Sequence, residues 1–203
     1  MVKTKIVYGA GLNDADYVPE VRVFINGKQK RIWICPFFST WRDMLKRCYS
    51  HRFQSKQSTY INCSVSPEWL LFSEFRNWMN NQPWEGNDLD KDILHPGNKQ
   101  YGPDKCVFVP HALNNFITDN RASRGDYPIG VSFCKQNSKF RAQCNNPFTG
   151  KQEHLGYFYG PDEAHEAWRK RKHELACIYA DMQTDERIAE ALRKRYANSE
   201  VNK

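Results

Sequence analysis

The last third of the chain changes its hydrophobic period once, and that change restricts it to a small two-layer fold. Three stretches, Ile129–Phe133, Lys139–Cys144 and His154–Phe158, read as short strands separated by Lys135-Gln136-Asn137-Ser138 and by the loop Asn145–Gln152. From about Pro161 to Ala180 the period becomes helical, and Ala164, Ala167, Trp168, Leu175 and Ile178 trace a stripe to be buried. A sheet lying on a helix satisfies both patterns. Within Lys139–Cys144 the period of two sends Phe140, Ala142 and Cys144 to one face and Lys139, Arg141 and Gln143 to the other. The second face carries the donors and acceptors that suit base edges in a major groove, arginine for guanine and glutamine for adenine. A last amphipathic helix is expected from Thr184, using Ile188, Ala189, Leu192 and Tyr196, with a disordered tail beyond Asn198.

Thr118 to Pro128 has no apolar residue beyond Ala122 and Tyr127 and reads as an exposed linker. The expected organisation is therefore an N-terminal β-hairpin region over 1–39, a domain over 40–120 and a second domain over 121–203. In the first region, Val21–Ile25, Asn26-Gly27 and Arg31–Cys35 form strand, turn and strand, because Asn-Gly suits a turn with φ above zero at both positions. Thr40 to Tyr49 reads as a short helix with Trp41, Met44, Leu45 and Cys48 on its inner side and Arg42, Lys46 and Arg47 largely on the other. Ser66-Pro67-Glu68 marks the start of another helix, with Ser66 as N-cap and with Trp69, Phe72, Phe75, Trp78 and Met79 at helical spacing. Leu89–Leu94 is short and alternating, placing Asp90 and Asp92 on one strand face. Cys106–Val109 supplies a second strand, and Pro110 starts a helix running to Ile117, so the centre reads as hairpin then helix.

Charge is uneven along the chain. Residues 1–60 carry eleven basic and four acidic side chains, residues 61–120 four and eight, and residues 121–203 fifteen and eleven. The net charge of +7 favours a polyanionic partner, and an acidic centre between basic arms suits a metal site held against a phosphate backbone. No apolar run, Trp69-Leu70-Leu71-Phe72 among them, approaches a membrane span, and the N-terminus shows no signal-peptide core, so a cytoplasmic location is expected. Seven cysteines with no CxxC pair argue against a disulfide framework or a zinc knuckle, although Cys134 and Cys144 could face each other across a hairpin.

Ile129-Gly130-Val131, Lys139-Phe140-Arg141-Ala142, His154-Leu155-Gly156-Tyr157-Phe158 and Asp162-Glu163-Ala164-His165-Glu166-Ala167-Trp168 resemble the AP2 domain in order and spacing. That resemblance implies a three-stranded antiparallel sheet, backed by one helix, that docks into the major groove of double-stranded DNA. It puts Ser132, Lys135, Lys139, Arg141, Gln143 and Asn145 at positions facing DNA.

AP2 modules accompany HNH-type homing endonucleases of phages. The run Trp41–Tyr49, then Trp69 to Trp78, Leu89-Asp90-Lys91-Asp92, Gly97–Tyr101 and Cys106–Pro110 with Asn114 resembles those proteins. The implied fold class is α+β: an HNH-like hairpin-helix (ββα-metal) nuclease domain followed by the sheet-plus-helix domain. The resemblance implies that Asp90 and Asn114 hold one divalent metal, Mg²⁺ or else Mn²⁺, and that Lys91 stands where the general base is expected. A protonated lysine takes no proton unless burial or a neighbouring cation lowers its pKa. Asp92 can serve as a second ligand or activate water, and His95 lies near enough in sequence to swing inward. As structural elements instead, Asp90 and Asp92 would flank a salt-bridged hairpin, and His95, His111 and Asn114 would cap or pin their segments. Two functions follow: sequence-directed binding and metal-dependent hydrolysis of double-stranded DNA, or DNA binding by a non-catalytic relative acting as repressor, anti-defence factor or interaction module. A basic sheet could also accept RNA. Neither a membrane nor a small-molecule cofactor enters these readings.

Overall fold

The computed structural model describes residues 4–118 and 126–197, which form an α+β protein. The chain divides into two compact units, Met1–Pro110 and His111–Lys203, whereas the sequence places its boundary at 120/121. Most of the expected linker, and the expected disordered tail, lie outside the described residues.

The first unit opens with two antiparallel hairpins, β1 (Lys5–Val7) with β2 (Gly11–Asn13) and β3 (Glu20–Ile25) with β4 (Lys28–Ile34). Asn26 and Gly27 both take positive φ, 51° and 74°, as the two-residue turn requires. Helix α1 (Pro36–Tyr49) starts four residues before the expected Thr40, with proline in its first turn, and buries Phe38, Trp41, Met44, Leu45 and Cys48. A single turn α2 (His51–Gln54) follows, then β5 (Ser64–Val65) and α3 (Phe72–Asn80). Strands β6 (Asn87–Asp90), β7 (Gln100–Tyr101) and β8 (Val107–Pro110) complete the unit. Strand β6 pairs antiparallel with β8, and β7 pairs parallel with β5.

The helix expected from Ser66 is broken. A 3₁₀ turn over Pro67–Leu70 precedes α3, and Leu71 between them is extended and bridges to Leu12. Ser66 makes no capping bond, and its buried hydroxyl finds no partner. The N-terminal segment caps α3 instead: Asp14 Oδ1 accepts the Ser73 N–H at 2.9 Å, and Asp14 Oδ2 accepts the Ser73 hydroxyl at 2.6 Å. The first residues thus belong to the same unit as the aromatic core. In that core Trp69 meets Phe75 edge-on at 5.1 Å, and the indole N–H of Trp41 donates to the Trp69 carbonyl at 2.7 Å. Each buried aromatic supplies several kcal/mol of transfer free energy, about 25 cal/mol per Å² of apolar surface removed from water.

The second unit contains α4 (His111–Ile117), β9 (Val131–Cys134), β10 (Lys139–Asn146), β11 (Lys151–Phe158), α5 (Pro161–Asp181) and α6 (Glu186–Arg195). The three strands form one antiparallel sheet in the order β11-β10-β9. Ala142 and Cys144 are buried and point to the α5 side, where Ala164, Trp168, Leu175, Ala176 and Tyr179 form the helix stripe. Ile178, expected in that stripe, is exposed, because Tyr179 one residue on packs against Phe116 of α4 at 5.0 Å and Phe148 at 4.7 Å. Gly130 (φ +81°) lies against Trp168, where any Cβ would come within 2.1 Å of the indole. Helix α6 starts at Glu186, two residues after the expected Thr184, and Asp185 caps it by accepting the Arg187 N–H. Cys144 is paired with Glu153 and Cys134 with Lys139, so the two thiols do not face each other, and all seven cysteines are free. No helix among the described residues is long and apolar enough to cross a membrane.

Candidate functional site

Because Ala142 and Cys144 point to the helix, their neighbours Arg141, Gln143 and Asn145 point away from it. Register extends that outward face to both flanking strands: Arg141 lies between Ser132 and Tyr157, Lys139 opposite Cys134, Gln143 opposite His154, and Asn145 opposite Gln152. The Arg141 guanidinium donates to the Ser132 hydroxyl through Nε (3.4 Å) and Nη2 (3.3 Å). Gln143 Nε2 donates to Gln152 Oε1 at 2.8 Å, and Gln152 Nε2 to Asn145 Oδ1 at 3.2 Å, which fixes a row of three amides. Lys139 places its ammonium 4.4 Å from the centre of the Tyr159 ring. Five of the six expected binding residues therefore share one face, and Lys135 stands in the exposed β9–β10 turn.

Period two alone does not find the whole face. His154 and Tyr157 are three apart and would point oppositely in a regular strand. A bulge opposite Ala142/Gln143 inserts Leu155 into β11, with Gly156 at φ +130°, and both rings then lie outward with centroids 4.8 Å apart. Gln152, His154 and Tyr157 are thus additions to the sequence-based set; the glycine inside the strand is the signal that marks them.

The acidic residue of these strands is turned away from the face. Glu153 is opposite Cys144 on the helix side, where Arg171 of α5 reaches it through Nε (2.6 Å) and Nη2 (3.0 Å), and Asn146 donates to it at 2.7 Å. The Arg171 and Asn146 hydrogen bonds hold its carboxyl down at about 2. Strands β9–β11 carry no other carboxylate. The outward face consequently presents Lys139, Arg141, amides, a hydroxyl and two rings.

The second group of expected residues lies where β6 ends. Asp90 Oδ1 accepts the N–H groups of Asp92 (2.8 Å) and Ile93 (2.6 Å), which bends the chain out of the strand. The strand expected to reach Leu94 therefore stops at Asp90, and Asp92 sits on a turn rather than on the same strand face. Lys91 is buried. Its ammonium donates to Asp92 Oδ2 and to the Asn98 carbonyl, both at 2.7 Å, and lies 5.9 Å from the centre of the Tyr101 ring. Asn98 returns the contact, donating to the carbonyls of Lys91 (2.9 Å) and Gln100 (2.7 Å). An ammonium used this way has no lone pair with which to take a proton from water. His95 is exposed in the following loop.

Cys48, Cys63 and Cys106 feel the Lys91 charge, which favours thiolates, but burial outweighs it and pushes Cys48 and Cys106 up to about 12 and Cys63 in the same direction. They stay protonated and serve the core. The basic side of α1 is likewise engaged within its unit: Arg42 pairs with Glu20 at 3.0 Å, Lys46 lies over Phe53 and Arg47 over Tyr60.

Asp90 belongs to the first unit and Asn114, half-buried on α4, to the second. In kind, a carboxylate and an amide oxygen fit a hard ion such as Mg²⁺, which binds through one or two carboxylates and fills its shell with water and phosphate. Asp92 fits less well as a ligand, since its carboxylate already neutralises Lys91. Among the described residues no three His, Cys, Asp or Glu side chains are grouped to hold a metal. No protein-family model, curated protein or solved structure matches this chain.

Proposed function

We propose that this chain binds double-stranded DNA in a sequence-directed way, laying the outward face of β9–β11 into the major groove as an AP2-like domain does. The observation that carries the reading is the separation of charge across the sheet: Arg141, Lys139 and the Gln143–Gln152–Asn145 amides face outward, and Glu153 is held on the helix side by Arg171. Arginine can engage guanine O6 and N7, and an amide can engage adenine N6 and N7, each such pair discriminating by roughly 1–3 kcal/mol. Lys135 in the turn suits a phosphate contact, which adds affinity without sequence information. The sheet order and the single backing helix support the same reading. Selection of bound duplexes from a random pool tests it. Wild type should enrich a motif, and Arg141→Ala should relax one position of it; an Arg141→Ala variant with unchanged affinity and motif would reject this docking face.

We further propose metal-dependent hydrolysis of the bound DNA, as in HNH-type homing endonucleases. The β6–β8 hairpin with Asp90 at its end, followed in sequence by α4, supports this reading. A bound Mg²⁺, held by Asp90 and Asn114, would stabilise the leaving 3′-oxygen of the phosphodiester. The pairing of buried Lys91 with Asp92 favours the alternative of a DNA-binding protein without catalysis, because it uses the residue at the base position as a structural cation. Incubation with supercoiled DNA with and without Mg²⁺ or Mn²⁺ separates the two. Nicked circles that require metal support hydrolysis; their absence in every metal supports the binding protein.

A further inference from the structure

Strands β3 and β4 form a ribbon that is exposed along both faces over nearly its whole length. Its base is fixed: Cys35 N–H donates to the Pro19 carbonyl at 2.8 Å, and Glu20 pairs with Arg42 of α1 at 3.0 Å. From there six paired residues extend, about 20 Å at the usual rise. Phe24 is 74% exposed, Ile32 59% and Trp33 48%. A core strand does not show such residues to water on a projecting arm, and exposed apolar groups among basic ones mark a contact surface.

We propose that this ribbon is a second DNA-contacting element, inserted in a major groove; the inference rests on the DNA-binding reading above. Register sorts its side chains by chemistry. Arg22 pairs with Arg31 and Phe24 with Gln29 on one face, and Val23 pairs with Lys30 and Ile25 with Lys28 on the other. The first face carries groups that read base edges, two guanidiniums and an amide, with a ring able to pack on a thymine methyl. The second carries two lysines, which suit phosphates. The ribbon's single acidic residue, Glu20, is held at the base by Arg42; its pairs with Arg22 (3.0 Å) and Arg31 (3.6 Å) are made by exposed guanidiniums, are weak, and leave both free to turn to base edges. A two-stranded ribbon is also one of the two elements that the width of a major groove admits.

Salt titrations of the full chain on a mixed-sequence duplex, between about 50 and 200 mM salt, test this. Each phosphate contact contributes roughly 0.9 to the slope of log affinity against log salt, so Lys28→Ala/Lys30→Ala should lower the slope by nearly 2 and weaken binding about tenfold at the low-salt end. Phe24→Ala should weaken binding and leave the slope in place. None of these side chains enters the core, so the melting temperature should hold. Unchanged slope and affinity in the double variant, with Arg141→Ala still weakened, would overturn the ribbon contact and leave the sheet reading standing. A ribbon variant that instead changes the sedimentation of the free protein at unchanged DNA affinity would assign the ribbon to a second copy of this chain and overturn the inference. Failure of the wild type to bind any duplex would remove both readings.

Discussion

The Lys91 ammonium and the Asp92 carboxylate, adjacent in sequence, meet at 2.7 Å with the lysine only 5% exposed. The pair closes the loop after β6, since the same ammonium holds the Asn98 carbonyl and Asn98 holds the Lys91 carbonyl. Lys91→Met should therefore leave Asp92 and the Asn98 carbonyl short of a donor and destabilise the first unit by about 1–3 kcal/mol, moderated because Asp92 can turn to water. Chemical denaturation measures it. An unchanged midpoint would mean that the ammonium does not hold the loop; if nicking activity is found and Lys91→Met abolishes it at an unchanged midpoint, the lysine acts in the chemistry after all.

Asp90 has a structural duty beside any metal-binding one, because it accepts two backbone N–H groups at the end of β6. Asp90→Asn retains an oxygen for those bonds and loses the charge a divalent ion needs. Asp90→Asn and Asn114→Ala should both abolish metal-dependent nicking and leave duplex affinity within about threefold, as expected when the interactions lost serve only the chemical step. Asp92→Ala and His95→Ala, assayed beside them, identify the group that activates water. Nicking by Asp90→Asn at the wild-type rate would remove this residue from the metal site.

What was legible in the sequence followed from period and turn chemistry. The Asn26-Gly27 turn, the inner face of α1, and the alternation that puts Lys139, Arg141 and Gln143 on one face all depend on neighbours in sequence. What was not legible depends on particular contacts that hydrophobic period does not encode. Leu71 is extended because Leu12 bridges to it, β6 stops at Asp90 because a side chain takes the next two N–H groups, and Tyr157 joins the outward face because of a bulge. Ile178 and Tyr179 both fit a helical stripe; the aromatic partners Phe116 and Phe148 decide between them. The charge at Lys91 was visible, but the carbonyl of Asn98 that turns it into a structural pin was not.

A fragment of the second unit should fold alone, and its first helix should add to its stability. Phe116 packs between Tyr179 at 5.0 Å and Tyr196 at 6.3 Å, and Arg195 donates to the Ile117 carbonyl, so removing α4 uncovers α5 and α6 together. A fragment beginning at His111 should unfold cooperatively and bind DNA without cutting it. One beginning at Gly125 should be less stable by about 3 kcal/mol or more, the cost of losing a buried Phe and its neighbours. Equal melting temperatures for the two fragments would show that α4 contributes nothing to this core.

The Phe116 ring also carries the Lys172 ammonium, 3.5 Å from its centre. Burial in this apolar setting lowers the Lys172 pKa to about 8 from 10.5; Cys144 opposes that shift in part, and Arg195 adds a smaller push in the direction of burial. The unfolded chain therefore binds a proton more strongly than the folded one. Between about pH 8 and 10.5 the unfolded state carries more protons, so this group makes stability rise with pH across that window. Below pH 8 the folded protein bears the full penalty of a buried cation. Cys144 and Tyr179 are shifted upward by burial and act in the opposite sense above their unfolded pKa values, so wild type alone cannot isolate the lysine. The difference between Lys172→Met and wild type can. The variant should be more stable at pH 7 by about 1–3 kcal/mol, the range set by the shift after allowing for the lost cation–π contact, and that advantage should shrink steadily toward pH 10. Denaturant titrations at pH 7, 8, 9 and 10 read it directly. An advantage that stays constant across those values would show that Lys172 is not held as a penalised cation, and that the ring offsets its desolvation in full.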